Sequence, residues 1–462
     1  MYVVGRDLGP ANLRVSECFG DPEVRLLESE NTMQRLIRTS LVTILLLATL
    51  LATFGFRSGS AVRAAAPDYE PGQVVVKLAP LPGNNLLGIN QTYGTITLAF
   101  LPDHSDIFLL QASLGADVER LVRVMARDVR LVYAELNYIN ENSEDGGTNR
   151  TYGWGDDSTP IQNQDSTRAL QLEAAHDLSR GGGTLVAVVD TGVQPDHPTL
   201  ANSLDVLGYD FVDNDLAPDE ETNGLDDDGD GRVDELYGHG THIAGIVHLV
   251  APDARLLPLR VLNSDGRGNN FRTASAIVYA AHRGADAINL SLGTPHQSVL
   301  LREVVGEAAQ LGVIVVGAAG NLNTDAKQYP AAEACAIGVT SVNARDKKSS
   351  FANYGDWIGV AAPGENIYST FPVDRYAWWS GTSMATPFVA GQAALLRGVN
   401  PQLSLDEVGL LIGGTTDSLD RANPAYRGQL GEGRIDLLAS LESLVAGTWP
   451  APEHDVFAGC NH

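Results

Sequence analysis

The chain has 462 residues, 44% of them hydrophobic and 6% aromatic, with 48 glycines. That length and apolar content exclude a disordered chain and point to a globular body of a few hundred residues with something smaller attached. A formal net charge of −26 argues against nucleic acid as a partner, because phosphate binding needs basic patches.

In chain order, Arg35 and Arg38 precede an apolar run over 41–56, followed by Arg57 and the small-residue stretch 61–66. The run is short for a membrane span, and a basic start, a short apolar run and small residues at a cut are the parts of a signal peptide. We therefore expect a signal peptide over 33–66. Met33 is then the better start, with 1–32 an untranslated or mis-assigned leader. The expected product is secreted and monomeric, with no stable membrane association after signal cleavage; the alternative is an uncleaved N-terminal anchor. Over 68–140 a β run at 71–78, a strand at 107–110, a helix at 116–127 and a β run at 129–133 predict a small α+β domain of the ferredoxin-like kind. The helix is read from Val118, Leu121, Val122 and Met125 at helical spacing. Residues 141–152 are polar and glycine-rich, an exposed linker of the sort that proteases nick.

From about 165 to 445 short apolar strands (185–189, 287–290, 313–316) alternate with helices (273–282, 300–309, 387–397). Strands apolar on both faces and separated by helices predict an α/β fold, three layers deep, with a mainly parallel central sheet over 153–446 and a tail at 447–462. Ligands in such sheets bind at the carboxyl ends of the strands. Of the three cysteines, Cys18 lies upstream. Cys335 and Cys460 can pair in an oxidising compartment, but two cysteines are not a disulfide framework, and we expect no essential bridge.

Three polar residues fall at the ends of such elements. Asp190 closes a strand before Thr191-Gly192, His239 sits in Gly238-His239-Gly240-Thr241-His242, and Ser383 sits in Gly381-Thr382-Ser383-Met384-Ala385-Thr386-Pro387. Alone, each has a plain structural reading: a turn, a close helix start, an N-cap. Together they supply what a hydroxyl nucleophile needs, a base beside it and an acid that fixes the base. Asn321, after the strand-like 315–318, can donate to an oxyanion alongside the Ser383 N–H. The order Asp, His, Ser and the three motifs resemble those of subtilisin-like serine proteases over 165–445. The resemblance implies hydrolysis of peptide bonds in protein or peptide substrates, with Asp190 orienting, His239 as base, Ser383 as nucleophile and Asn321 as oxyanion donor. It also implies a substrate edge at Ser291, Leu292 and Gly293 and a first specificity pocket walled by Ala318, Ala319 and Gly320, open and mainly apolar. Phe388 departs from the pattern, which often has His there; we expect altered packing and an intact mechanism. His242, and His197 beside Asp196, read as structural, and no His-Glu-x-x-His spacing suggests zinc.

Between Asp210 and Glu235 lie 12 acids and one arginine. Asp226, Asp228, Asp230, Arg232 (through its carbonyl) and Asp234 follow an EF-hand-like spacing with Gly231 at the turn, which predicts a structural calcium ion; position 12 is Tyr237, where a bidentate Glu is usual, and Glu235 is the substitute for it from a different register. Residues 68–140, especially 132–138, resemble the family's propeptide. That implies a foldase and intramolecular inhibitor whose last strand occupies the active site before self-cleavage within 141–152.

Overall fold

The computed structural model describes residues 67–141, 154–454, 456–457 and 459–460. The expected signal peptide, and the linker apart from Glu141, lie outside them. Among the described residues no helix is long and apolar enough to cross a membrane.

The N-terminal domain runs β1 (Tyr69–Leu78), α1 (Leu86–Tyr93), β2 (Ile96–Phe100), β3 (Ile107–Gln111), α2 (Val118–Met125) and β4 (Leu131–Glu141). Its strands pair antiparallel in the order β2-β3-β1-β4, a split βαβ arrangement of the ferredoxin-like kind. Val74, Val76, Leu110 and Ala134 on one sheet face close over Ile89, Val118 and Met125 of the two helices. The opposite face, with Val75, Leu109 and Tyr133, joins the core of the larger domain. Helix α1 and strand β2 escape the sequence reading. Only Ile89 of α1 is buried, so no apolar stripe marks it; Asn85 caps its start by accepting from the Gly88 N–H, and Gly94 ends it in a left-handed conformation.

The larger domain opens with β5 (Trp154–Gly155) and short helical turns between 159 and 176. It continues through β6 (Leu185–Asp190), β7 (Tyr209–Asp210), α3 (His239–Val250), β8 (Arg255–Arg260), β9 (Arg267–Asn269), α4 (Asn270–His282), β10 (Ala287–Leu290), α5 (Val299–Gln310) and β11 (Ile314–Ala318). After these come β12 (Ala336–Val342), β13 (Val360–Pro363), β14 (Ile367–Phe371), β15 (Arg375–Trp379), α6 (Thr382–Val399), α7 (Leu405–Gly414) and α8 (Leu437–Ala446). Seven strands form a parallel sheet in the order β13-β12-β11-β10-β6-β8-β7. Helices α3 and α6 pack together on one side of it, and α4 packs with α5 on the other. This is the expected three-layer α/β/α fold, and the sheet strands are buried almost throughout because both faces are covered.

Helix α6 starts five residues before the apolar run that announces it, so Pro387 lies inside the helix instead of in its first turn. Proline has no N–H for the carbonyl four residues back. That carbonyl belongs to Ser383, and it accepts instead from the Ser291 hydroxyl at 2.9 Å. The interruption thus tethers the helix start to the strand end of β10.

Cys335 and Cys460 are joined in a disulfide that spans 125 residues. It fixes a tail whose Val456 and Phe457 are already part of the core. Closing so long a loop restricts the unfolded chain, worth up to about 4–5 kcal/mol in the chain-entropy picture. Cys335→Ser or Cys460→Ser is accordingly expected to lower the melting temperature by several degrees under oxidising conditions. Addition of a reductant should erase the difference between variant and wild type; equal melting of the two oxidised proteins would show that the bridge contributes nothing.

Candidate active site

Strands β6, β10 and β11 are neighbours and run parallel, so their carboxyl ends share one edge of the sheet. Asp190 is the last residue of β6. Its Oδ1 accepts from the Thr191 N–H at 2.8 Å and lies 2.6 Å from Nδ1 of His239, the first residue of α3; both side chains are buried. Against a carboxylate, which accepts, Nδ1 carries the proton and Nε2 keeps its lone pair. Two glycines make the approach possible. Gly192 has φ +116°, and a Cβ there would stand 2.4 Å from the Asp219 carbonyl oxygen; Gly238 has φ +93°, and its Cβ would meet the Phe371 ring at 2.4 Å.

Ser383 is the second residue of α6, with Gly381 at the cap, so its hydroxyl is not an N-cap. The hydroxyl donates to the Ser291 carbonyl at 3.3 Å. Beside it, Asn321 Oδ1 accepts from the Thr382 N–H (2.9 Å) and hydroxyl (3.1 Å). With its oxygen held on that side, the Asn321 amide directs its NH2 elsewhere. Asn353 supports the segment by accepting from the N–H groups of Leu322 and Thr324 and donating to the Ala319 carbonyl. Ser383, Asn321 and Ser291 therefore sit at the same sheet edge as the Asp190–His239 pair. Ser291, Leu292 and Gly293 follow β10, and Ala318, Ala319 and Gly320 follow along β11 and its exit. The edge is not bare: Glu141, the last residue of β4, exchanges both backbone hydrogen bonds with Gly293, each at 3.0 Å, while Ile139, Asn140 and Glu141 pair antiparallel with Asn269, Gly268 and Arg267 of β9.

A model of the subtilase family matches residues 181–433, more than half of the chain. The chain belongs to the subtilase family. It is 46% identical to thermitase of Thermoactinomyces vulgaris over 237 residues, 49% of this chain and 79% of that protein. It is 37% identical to subtilisin BL of Lederbergia lenta over 264 residues, 55% of this chain and 91% of the relative. Among solved structures, a protease from Pseudoalteromonas arctica superposes with a TM-score of 0.56 at 29% identity, covering 61% of this chain and 97% of that one. Fervidolysin from Fervidobacterium pennivorans, described as a keratinolytic enzyme related to subtilisin, superposes with a TM-score of 0.66 at 23% identity over 84% of this chain and 62% of its own. That 84% is about 388 residues, more than residues 154–460 of the subtilase supply, so the likeness of fold reaches into the N-terminal domain.

Several neighbours of this site have no sequence signal. Trp379 sets its ring edge against both His239 and His242, with centroids 5.2 and 5.6 Å away. His242 is buried with Nε2 near the carbonyls of Ile367 and Ala377, and burial pushes its pKa down to about 3. His197 is likewise held within a turn, by the Arg375 carbonyl and the Thr199 N–H. Phe388 fills the core without exposure. In the acidic segment, the carboxylates of Asp226, Asp228 and Asp265 gather within 4.8 Å of one another, as do those of Asp228, Asp230 and Glu235. Asp265, distant in sequence, joins the cluster. Asp234 turns away from it to the N–H groups of Asn223 and Gly224 and the Ser264 hydroxyl. Arg232 places its guanidinium 3.4 Å from Glu235.

Glu220, inside the same acidic run, has a separate task. Gly238 brings no side chain to cap α3, and Glu220 Oε2 does so from a distance, accepting from the Thr241 N–H (3.1 Å) and hydroxyl (3.0 Å). Burial, with a contribution from Asp190, pushes its pKa up to about 7. A carboxyl whose pKa is raised on folding holds its proton more tightly in the native state, so stability is lost as pH rises from about 4.5 through 7. Glu220→Gln keeps an oxygen for Thr241 and removes the charge. Its melting temperature is expected to exceed that of wild type by roughly a few degrees at pH 8–9 and to match it near pH 4.5; a deficit at alkaline pH would show that the charge itself is needed for the cap.

Proposed function

We propose that this subtilase is a secreted serine endopeptidase, made as a zymogen that cleaves itself. The observation that carries the reading is the backbone exchange between Glu141 and Gly293. An extended chain added as a strand beside Gly293 is how a peptide would lie, and it leads toward the carbonyl of Ser291 on which the Ser383 hydroxyl rests.

In the proposed mechanism Ser383 Oγ attacks the carbonyl carbon of the scissile bond while Nε2 of His239 takes its proton. Asp190 holds the imidazole through Nδ1–H and balances the charge that forms on it. The negative oxygen of the tetrahedral intermediate is met by the Asn321 NH2 and by the Ser383 N–H at the positive end of α6. A donor of the first kind is typically worth about 2.7–4 kcal/mol in the transition state. The amine then leaves with the proton from His239, and water repeats the sequence on the acyl-enzyme.

The N-terminal domain acts in this reading as an intramolecular inhibitor and folding template. Supporting it, Glu135 accepts from the Ser298 hydroxyl and the N–H groups of Val299 and Leu300 at the start of α5, and Asn137 accepts from the Phe271 N–H at the start of α4. Lys77 pairs with Glu303, and Tyr138 stacks on His296 with ring centres 4.6 Å apart. A peptide strand in the antiparallel register of Glu141–Gly293 would set the second residue after that pair opposite Ser291; counted along the sequence from Glu141 that residue is Ser143, so the cut is expected after it. Intact-mass measurement should find wild type shortened to a chain starting at Glu144 and Ser383→Ala uncut. A Ser383→Ala chain that matures in pure form, or a wild type that takes no fluorophosphonate label, would overturn the reading.

The acidic cluster fits calcium, a hard cation that takes carboxylate oxygens from flexible loops. Asp226, Asp228, Asp230, Glu235 and Asp265 would hold it. The bound ion would supply charge neutralisation and tie the loop before α3 to the turn before β9. Chelation is therefore expected to lower the melting temperature and, through the His239 helix start, the activity, with recovery on adding calcium. Unchanged melting and activity in chelator would remove calcium from the account.

A further inference from the structure

Two adjacent lysines follow strand β12 into opposite surroundings. Lys347 is exposed, whereas Lys348 is only 9% exposed and has no carboxylate partner among the described residues. A buried ammonium without a counter-ion is costly unless its N–H donors are met. All three are met here: Lys348 Nζ donates to Asn323 Oδ1 at 2.8 Å and to the carbonyls of Ser349 and Ala352 at 3.0 and 2.6 Å. The rings of Tyr354 and Tyr426 add their faces, with centroids 5.2 and 4.9 Å from Nζ. Burial pushes the pKa of Lys348 down to about 8, so near neutral pH the third donor is present.

The acceptors belong to two segments that meet behind the nucleophile. Asn323 lies two residues past Asn321, in a left-handed conformation with φ +51°, and its N–H donates to the Phe351 carbonyl at 2.6 Å. Ala352 precedes Asn353, which holds the same loop from within. The Asn353 side chain bonds Ala319, Leu322 and Thr324, and its N–H donates to the Gly320 carbonyl at 2.9 Å. One ammonium therefore ties the far side of the loop that carries Asn321 to the residue beside its central support.

We infer that Lys348 is a positioning residue for the oxyanion donor: its ammonium acts as a built-in cation that clamps residues 320–324 against 349–353 and so keeps the Asn321 NH2 in its direction. This rests on reading Asn321 as the donor. A neutral side chain at 348 leaves three oxygens unmet and frees the loop to turn them toward water. A donor that acts on the transition state then loses its aim, and the loss falls on kcat.

The test is a pair of mutant cycles, with kcat and KM measured on one peptide substrate and kcat expressed per site that takes a fluorophosphonate label. Lys348→Met removes the charge. Asn323→Gly removes only the acceptor on the loop, at an exposed position where glycine keeps the positive φ without strain. Asn321→Ala should lose about 10²–10³ in kcat. Lys348→Met should lose about tenfold or more, and Asn323→Gly about threefold or more, each with KM within about twofold of wild type. Added to Asn321→Ala, neither should lower kcat by more than about twofold further, because no donor is left to misplace. Losses that recur in full in the Asn321→Ala background, or that fall on KM, overturn the inference. If Lys348→Met does not fold, the Asn323→Gly cycle decides by the same criteria. An Asn321→Ala enzyme with full kcat defeats the oxyanion reading itself, whereas a slow one with additive losses defeats Lys348 alone.

Discussion

The site depends on the direction of the central strands. In a parallel sheet every strand delivers its carboxyl end to the same edge, so β6, β10 and β11 place Asp190, Ser291 and the segment leading to Asn321 side by side although more than 100 residues separate the first from the last. Two helices start near that edge as well, one with His239 and one with Thr382-Ser383. An antiparallel sheet would scatter the same residues between two ends. The requirement that both faces be covered makes the strands apolar, and covering them buries the polar edge residues along with them.

Burial then decides how those residues are held. Asp190, His239, Asn321 and Ser383 are all at most 6% exposed, where an unpaired polar group is costly, and each is fixed by a neighbour. The Asp190–His239 bond joins a strand end to a helix start. The Thr382–Asn321 bonds join a helix start to a loop, and the reciprocal Ser291–Ser383 bonds join a helix to the strand end of β10. Glu220 belongs to the same system from one layer further out, and its burial, which raises its own pKa, follows from capping a helix that begins with Gly238 and His239.

The same edge that assembles the chemistry presents backbone for a strand to join, and β4 joins it. Backbone pairing of this kind is indifferent to sequence, so discrimination has to come from side-chain pockets.

How much of this is legible in the sequence follows from the range of each interaction. Apolar strands separated by helical periods fix the α/β class, and short motifs at element ends name Asp190, His239 and Ser383, because both signals lie within a few neighbouring residues. The helix start at Thr382 is misjudged because its first turn carries no apolar stripe, and α1 is missed for the same reason. Tertiary structure alone decides which distant residues join the site: Glu220 near His239, Trp379 against its ring, and Asp265 among the loop carboxylates in place of Asp234. Each of these acts through a contact between segments far apart in the chain. The residue types themselves, such as an acid in an acidic run, carry no local mark of the task, because that task is set by what the fold brings to face them.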